Sequence, residues 1–172
     1  TMIVVRESLD VSSVAELGGL RPVVSNTQSL SGWCSLGVAI AEVTNDSSFV
    51  RPFVQSGGHA RSLQMLQDNN ADFASIDAAT FRLRKLHRPK LTNGLRTIGH
   101  GPVVPATPII VSKSSTVDAD ELYRVVSGVF GRSDLQAALA DIGISGFVRL
   151  ANSDYDGVMD LVKTAEVVLP RR

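Results

Sequence analysis

Short apolar runs alternate with amphipathic segments through residues 2–111. Six apolar runs predict β-strands, at residues 2–6, 20–24, 49–55, 72–76, 95–98 and 107–111. Three segments with apolar residues on one helical face predict helices, at residues 31–43, 59–69 and 77–86. Pro52 places the third strand at a sheet edge or a strand start, because proline cannot donate to a ladder. The alternation predicts parallel α/β units, whose ligands lie at the carboxyl ends of the strands.

The pattern changes after Val117, where helical periodicity continues without further strands. Three helices are predicted, at residues 118–130, 133–142 and 153–168. Asp118, Ser133 and Ser153 are suited to be their N-caps, and Gly143 marks a C-terminus. Because no strand follows to pair with, these helices need another surface on which to pack.

Composition narrows the classes of protein that fit this pattern. The chain has 172 residues, of which 44% are hydrophobic and 20% charged, as in a soluble globular protein. The 17 basic and 17 acidic side chains cancel, and no basic cluster is interleaved with aromatics, which argues against a nucleic-acid surface. No apolar run approaches the ~20 residues of a membrane span. The single cysteine, Cys34, excludes an intrachain disulfide and a cysteine metal cluster, and is predicted to be a small buried hydrophobe.

The turn between the second strand and its helix carries the first candidate chemistry. Ser29-Leu30-Ser31-Gly32 follows the strand and leads into the helix at Trp33. Such a turn presents unpaired N–H groups and hydroxyls at the positive end of a helix dipole, an arrangement suited to an oxyanion. The alternative is that these residues only cap the helix.

Two further strand-to-helix turns carry polar residues. One is Ser56-Gly57-Gly58-His59, and the other begins at Asp77. The turns ending at Ser31, His59 and Asp77 are predicted to converge on one edge of the sheet. In the alternative interpretation, His59 bonds to backbone and Asp77 is only an N-cap. Three arginines are predicted to lie on solvated helix faces, namely Arg61, Arg82 and Arg84.

Six segments, in order along the chain, resemble the periplasmic phosphate, phosphite and phosphonate-binding proteins of ABC transporters. They are I-V-V-R at 3–6, S-L-S-G-W at 29–33, S-G-G-H-A at 56–60, A-D-F-A-S-I-D-A at 71–78, G-P-V-V-P-A-T-P-I-I-V at 101–111 and D-I-G-I-S-G-F-V at 141–148. The resemblance implies a type II periplasmic-binding-protein fold, in which two α/β lobes joined by two crossing strands hold a ligand between them. It also implies a periplasmic location, a membrane permease as partner, and neither cofactor nor catalytic residues.

On this resemblance, residues 1–113 form one complete α/β lobe with crossing strands at 1–8 and 107–113. Residues 114–172 are helices that return onto the first lobe, which would start upstream of Thr1. Because Thr1 opens directly on an apolar run without a leader segment, we expect a fragment or mature piece of a longer protein.

The resemblance also implies roles for residues of the first turn. The family's S-T-S-G anion turn is similar to Ser29-Leu30-Ser31-Gly32. Ser29 and Ser31 would donate hydroxyls, and the N–H groups of Ser31, Gly32 and Trp33 would complete a phosphonyl cradle. Leu30 removes one hydroxyl from the family's pattern.

Three further positions correspond to the family's ligand contacts. His59 would donate to a phosphonyl oxygen and, if protonated, supply a positive charge. Asp77 matches an acidic residue that faces the amine of aminophosphonates, and Ala106 stands where some members carry a second Asp. Leu30 and Ala106 therefore imply a less polar and less acidic pocket, suited to a smaller anion or another organic group.

Two other functions fit the same residues. A sensory module would reuse the same lobes to read a ligand. A hydrolase would use Ser31, His59 and Asp77 as nucleophile, base and orienting group. The segment S-L-S-G-W lacks the G-x-S-x-G nucleophile elbow, which weighs against the hydrolase.

Overall fold

A computed structural model describes residues 1–171, with a five-stranded mixed sheet at its centre. The strands are β1 (Met2–Arg6), β2 (Pro22–Val24), β3 (Val54–Gln55), β4 (Phe73–Ile76) and β5 (Leu95–His100). Their order in the sheet is β3-β2-β4-β1-β5. Strand β2 pairs in parallel with β3 and β4, and β1 pairs antiparallel with β4 and β5. The predicted parallel units are therefore present, with β1 running against them.

The α-helices follow the predicted positions, with ends displaced by a few residues. They are α1 (Ser35–Ala41), α2 (His59–Gln67), α3 (Ala78–His87), α4 (Ala119–Phe130), α5 (Gln136–Asp141) and α6 (Val158–Val168). A π-helical turn, Leu30–Cys34, precedes α1, and short 3-10 turns precede α5 and α6. Within residues 1–171, we find no helix with the length and apolar character needed to cross a bilayer.

The chain divides into two units. The first contains Thr1–Val103 together with the residues from Gly157 onward, and the second is Val104–Asp156. The sheet and helices α1, α2, α3 and α6 belong to the first unit. In the second unit, the rings of Tyr123 and Phe130 lie 5.7 and 5.6 Å from the ring of Phe147.

Both faces of the sheet are covered by helices. One face contributes Val24 and Phe73 to a core that also contains Trp33 of the π-helical turn and apolar residues of α1 and α6. The other face packs on α2 and α3, through Leu63, Leu66 and Phe81. Because neighbouring positions of β4 enter opposite cores, the strand is apolar almost throughout rather than alternating.

The strand predicted at residues 107–111 was wrong. Residues 101–112 form no strand in the described structure, and the Ile110 side chain is 83% exposed. Pro102, Pro105 and Pro108 remove N–H donors, and no neighbouring segment pairs with this stretch. The predicted strand at 49–55 is reduced to Val54–Gln55, which does lie at the sheet edge.

The expectation that all residues from 114 onward pack on an upstream lobe also needs correction. Helix α6 packs against α1, so the residues from Gly157 onward belong with the sheet. The helices approach most closely at Gly37, where an added Cβ would lie 2.6 Å from the Cβ of Ala165. The absence of a side chain at position 37 is what permits this approach.

Replacing Gly37 with alanine is therefore expected to lower the melting temperature. The new Cβ would also lie 2.8 Å from the Cα of Ala165, so the helices must separate. Overpacking costs about 1–3 kcal/mol, which exceeds the ~1 kcal/mol that alanine gains in helix propensity. Gly128→Ala is the matched control, because a Cβ there meets nothing within 4 Å. Equal stabilisation by both substitutions in thermal melts would contradict the close packing.

A cluster of charges ties β1, β2 and β4 together at the end of the sheet where β2 and β4 begin. The Asp72 carboxylate accepts hydrogen bonds from the backbone N–H, Nε and Nη2 of Arg21 at 2.8–2.9 Å. Arg6 Nη2 donates to the same carboxylate at 2.8 Å, and Arg6 Nη1 donates to the carbonyl oxygens of Leu66 and Ala71. The Asp72 side chain is only 9% exposed. This buried pairing fixes the register of strands whose opposite ends carry the candidate site.

Candidate functional site

The carboxyl ends of β2, β3 and β4 bring the polar turns into contact. Gly57 N–H donates to the carbonyl of Ser25 at 2.8 Å, which joins the turns after β2 and β3. Ser75 Oγ in β4 donates to the carbonyl of Ser31 at 2.7 Å. Ser31 Oγ and His59 Nε2 are hydrogen-bonded at 2.9 Å. The predicted convergence therefore places a hydroxyl and an imidazole side by side at the start of two helices.

Ser29 organises the turn from within. Its Oγ accepts the N–H of Gly32 at 2.9 Å, and its carbonyl accepts the N–H groups of Trp33 and Cys34 at 3.1 and 3.0 Å. Ser29 is thus the N-cap, and two of the three N–H groups predicted for the cradle are bonded within the turn. The N–H of Ser31 lies in the first helical turn, where helix geometry provides no carbonyl partner.

The turn is held rigidly on its inner side. Ser35 donates both its N–H and its Oγ to the carbonyl of Leu30, the side-chain bond measuring 2.8 Å. The five-residue spacing of the backbone bond makes this turn π-helical, a geometry frequent at functional sites. With the carbonyl of Ser31 also bonded, the hydroxyl of Ser31 is presented on a fixed frame.

Gly32 is required by a close approach of backbone segments. A Cβ at this position would lie 3.0 Å from Ser29 Oγ and 3.1 Å from the backbone N of Ser25, and would overlap Ser25 Oγ. Ser25 is 5% exposed, and its hydroxyl has no hydrogen-bond partner within the described residues. Our sequence reasoning missed Ser25. Its only signal is its place as the first polar residue after the apolar run of β2.

The environment of His59 favours the neutral ring. Burial lowers the pKa of His59 below its ordinary value, the nearby Asp77 carboxylate opposes this shift, and Arg84 adds to it. The Nδ1 atom is buried and has no hydrogen-bond partner among the described atoms. The site at neutral pH therefore offers hydroxyl, imidazole and backbone donors without the cationic histidine that the sequence left open. Neutral donors of this kind can hold an oxyanion through short charge-assisted hydrogen bonds.

Asp77 caps α3. Its Oδ1 accepts the N–H of Thr80 at 2.7 Å, which confirms the N-cap interpretation. No hydrogen bond joins Asp77 to His59 within the described part of the chain, so the histidine has no orienting carboxylate. The arrangement supplies two members of a hydrolytic triad and lacks the third.

Trp33 belongs to the protein core. Its side chain is 1% exposed, its indole Nε1 donates to the carbonyl of Leu169 at 3.1 Å, and the guanidinium of Arg171 lies 4.3 Å from its ring centroid. Only the backbone of Trp33 can therefore serve the turn. The neighbouring Cys34 is also buried, and burial raises the pKa of its thiol, as suits an unreactive core residue.

Comparison with known proteins identifies what the chain resembles. A family model described as the periplasmic substrate-binding protein of phosphonate ABC transporters matches residues 1–155. The binding-protein component of an ABC phosphonate transporter from Pseudomonas aeruginosa superposes with a TM-score of 0.77 at 16% identity, covering 96% of this chain and 57% of that one. None of the curated proteins matches significantly.

Two other solved proteins share the architecture. PhnD1 from Prochlorococcus marinus, in complex with methylphosphonate, has a TM-score of 0.75 at 14% identity, covering 97% of this chain and 66% of that one. XAC2383 from Xanthomonas citri, bound to ATP, has a TM-score of 0.68 at 13% identity with the same coverage. At these identities the likeness concerns the fold, and it confirms the predicted type II periplasmic-binding-protein architecture. The chain spans less than two thirds of the length of each of these proteins.

Proposed function

This chain belongs to the family of periplasmic substrate-binding proteins of phosphonate ABC transporters, and we propose that it binds a small phosphorus oxyanion or phosphonate at the turn Ser29–Trp33 and at His59. The contact between Ser31 Oγ and His59 Nε2 at 2.9 Å carries the proposal, because it places a hydroxyl and an imidazole together where two helices begin. As a member of a periplasmic family, the protein would act in the periplasm and present its ligand to a membrane permease.

The residues of the turn and His59 would have different roles in binding the oxyanion. The hydroxyl of Ser31, its N–H and the ring of His59 would donate to the phosphorus oxygens. The backbone of Ser29, Gly32 and Trp33 would hold those donors in place, and the positive end of the α1 segment would favour the anion's charge. Ligand binding would break the hydrogen bond between Ser31 and His59 or make the ligand a second partner of these groups. One neutral hydrogen bond would then be replaced by several hydrogen bonds to a charged acceptor.

The ligand class follows from which groups are missing. Leu30 supplies a branched isobutyl group where the family's pattern has a hydroxyl, and Ala106 stands at the sequence position where some members carry an Asp. Asp77 already accepts the N–H of Thr80. A ligand without an ammonium group is therefore favoured over an aminophosphonate, and methylphosphonate, present in the Prochlorococcus marinus complex, is the first compound to test.

We also propose that the second unit, Val104–Asp156, packs on a further lobe of the complete protein. Its apolar side chains Ile109, Ile110 and Val148 are 58%, 83% and 71% exposed. Burying such surface is worth about 25 cal/mol per Å². A lobe that covers these side chains would gain stability from doing so.

One observation favours hydrolysis as a second candidate, namely the hydrogen bond between a serine hydroxyl and a histidine. The missing orienting group and the absence of the G-x-S-x-G motif weigh against it. The two functions differ in what happens to the ligand. A transport protein returns it unchanged.

Phosphorus-31 NMR distinguishes the two directly. We expect the resonance of methylphosphonate to broaden or shift on addition of protein and that of phenyl phosphate to show no hydrolysis. In a separate absorbance assay, p-nitrophenyl acetate should release p-nitrophenol no faster than it does in buffer alone. Ser31→Ala should weaken the methylphosphonate response because it removes a donor to a charged acceptor, worth about 1.5–3 kcal/mol. Ser12→Ala, at an exposed serine, is the control. Product formation that disappears in Ser31→Ala would overturn the transport proposal.

A further inference from the structure

The first unit contains a cavity of about 500 Å³ on the side of edge strand β3. It lies between the loop that leads into β3, the strand itself and the end of α6. The lining residues are Gly19, Ser47, Ser48, Val50, Arg51, Pro52, Phe53, Gln55, Val168, Leu169 and Pro170. This set excludes every residue of the proposed oxyanion site, so the cavity is a separate feature. Its volume falls within the ~300–1,000 Å³ of small-molecule pockets.

The walls of the cavity are chemically divided. Val50, Val168 and Leu169 border the cavity but are buried in the core, and the half-buried Phe53 packs against the same core, so Phe53 offers most of the accessible surface among these four apolar residues. The polar lining consists of serine hydroxyls, the Gln55 amide and the Arg51 guanidinium. Such a surface suits a ligand that has an apolar body and a polar head.

Arg51 is the charged residue of this lining. It is exposed, and its guanidinium makes no ion pair or hydrogen bond to any residue in the described part of the chain. Its backbone is fixed, because its N–H donates to the carbonyl of Leu20 at 2.9 Å. The Asp46 carboxylate accepts from the N–H and Oγ of Ser48 at 2.8 and 2.7 Å, and no ion pair joins it to Arg51 within residues 1–171. The cavity therefore presents an uncompensated positive charge beside an apolar wall.

We propose that this cavity binds a small amphipathic organic acid, with its acid group at Arg51 and its apolar chain against Phe53 and Leu169. A carboxylate gains a charge-assisted and bidentate partner in a guanidinium, and the chain gains burial. An uncharged lipid-like molecule gains only the burial of its chain, and an inorganic anion gains only the bond to the guanidinium. The proposal concerns a second ligand site and does not depend on the oxyanion site.

The site is connected to the turn that carries Ser31. The carbonyl of Leu169, a lining residue, accepts the indole N–H of Trp33, and Arg171 covers the indole ring. Trp33 is the single tryptophan of the sequence. An occupant that moves Leu169 is therefore expected to change the fluorescence of Trp33.

Octanoate is the probe, and octan-1-ol is its uncharged counterpart. Amide NMR during an octanoate titration is expected to show saturable shifts at Gly19, Val50, Phe53 and Leu169, accompanied by a change in Trp33 fluorescence. Arg51→Gln should lower the affinity for octanoate at least about fivefold, because the acid loses its charged partner. The affinity for octan-1-ol should stay within about twofold of the wild-type value. Arg82→Gln, at an exposed arginine of α3, should change neither.

Other outcomes would overturn the proposal. If Arg51→Gln lowers the affinities for octanoate and octan-1-ol equally, the cavity does not recognise the negative charge of the acid. Shifts confined to the apolar surface of Val104–Asp156 would mean that octanoate binds elsewhere. Ser47→Trp, which fills the cavity from its rim, should abolish the shifts at Phe53 and Leu169. Ser31→Ala should leave octanoate binding intact, so failure of the oxyanion site and failure of this one are distinguishable.

Discussion

Replacing Asp72 with alanine is expected to lower the free energy of unfolding by about 3–5 kcal/mol, the cost of leaving the largely buried Arg6 guanidinium without its charged partner. The Asp72 side chain, which is 9% exposed, accepts hydrogen bonds from both Arg6 and Arg21. The substitution leaves the guanidinium of Arg6, whose side chain is 14% exposed, facing carbonyl groups alone. Urea unfolding followed by circular dichroism measures the change.

Asp68→Ala is the matched control, because Asp68 is exposed and its carboxylate accepts a single hydrogen bond within residues 1–171, from Gln64 Nε2 at 2.9 Å. It should cost less than about 0.5 kcal/mol, as surface substitutions usually do. Similar losses for Asp68→Ala and Asp72→Ala would show that the buried pairing contributes nothing specific.

The same carboxylate predicts acid sensitivity. Hydrogen bonding from Arg21, helped by Arg6, holds the pKa of Asp72 well below its ordinary value of 3.8 despite burial. A depressed pKa stabilises the folded state fully above the ordinary value, and this stability is lost as pH falls below it. The wild-type protein should therefore lose more stability between pH 5 and about pH 2 than Asp72→Asn does.

Replacing His59 with alanine is expected to weaken binding of the phosphorus oxyanion about tenfold or more. A hydrogen bond to a charged acceptor is worth ~1.5–3 kcal/mol, and truncation also leaves the Ser31 hydroxyl without its partner at 2.9 Å. His59→Gln restores a donor and should recover part of the affinity. Calorimetric titration measures the affinity of the wild-type protein, His59→Ala and His59→Gln for the oxyanion.

His87→Ala, at an exposed histidine of α3, is the control for the loss of an imidazole. It should leave affinity within about twofold. Unchanged affinity in His59→Ala, with Ser31→Ala still impaired, would remove the imidazole from the site and leave the turn as the sole donor.

Local sequence patterns predicted the turns of the site well, because helix capping depends on residues that are close together in the sequence. Asp77 caps α3 and Ser29 caps the π-helical turn, and both are residue types that favour this position. The meeting of Ser31 with His59 is a contact between residues 28 positions apart. The sequence predicted that their turns converge, but no periodicity fixes the distance between their side chains.

The errors have equally specific causes. The apolar run at 107–111 satisfied the strand pattern, but a strand also requires a partner, and the prolines within and before the run remove N–H donors. The packing of α6 on α1 depends on the missing side chain of Gly37 and the small side chain of Ala165, and neither stands out in a hydrophobic pattern. Ser25 was missed because a lone serine after a strand is indistinguishable from an ordinary turn residue.

The most direct test of the central claim is a calorimetric titration of methylphosphonate, phosphite, phosphate and sulfate into the folded protein and into Ser31→Ala. We predict saturable binding of at least one phosphorus oxyanion with a stoichiometry of about one, weakened about tenfold or more in the variant. The absence of saturable heat for all three phosphorus oxyanions, or equal affinity in wild type and Ser31→Ala, would contradict an oxyanion site at this turn.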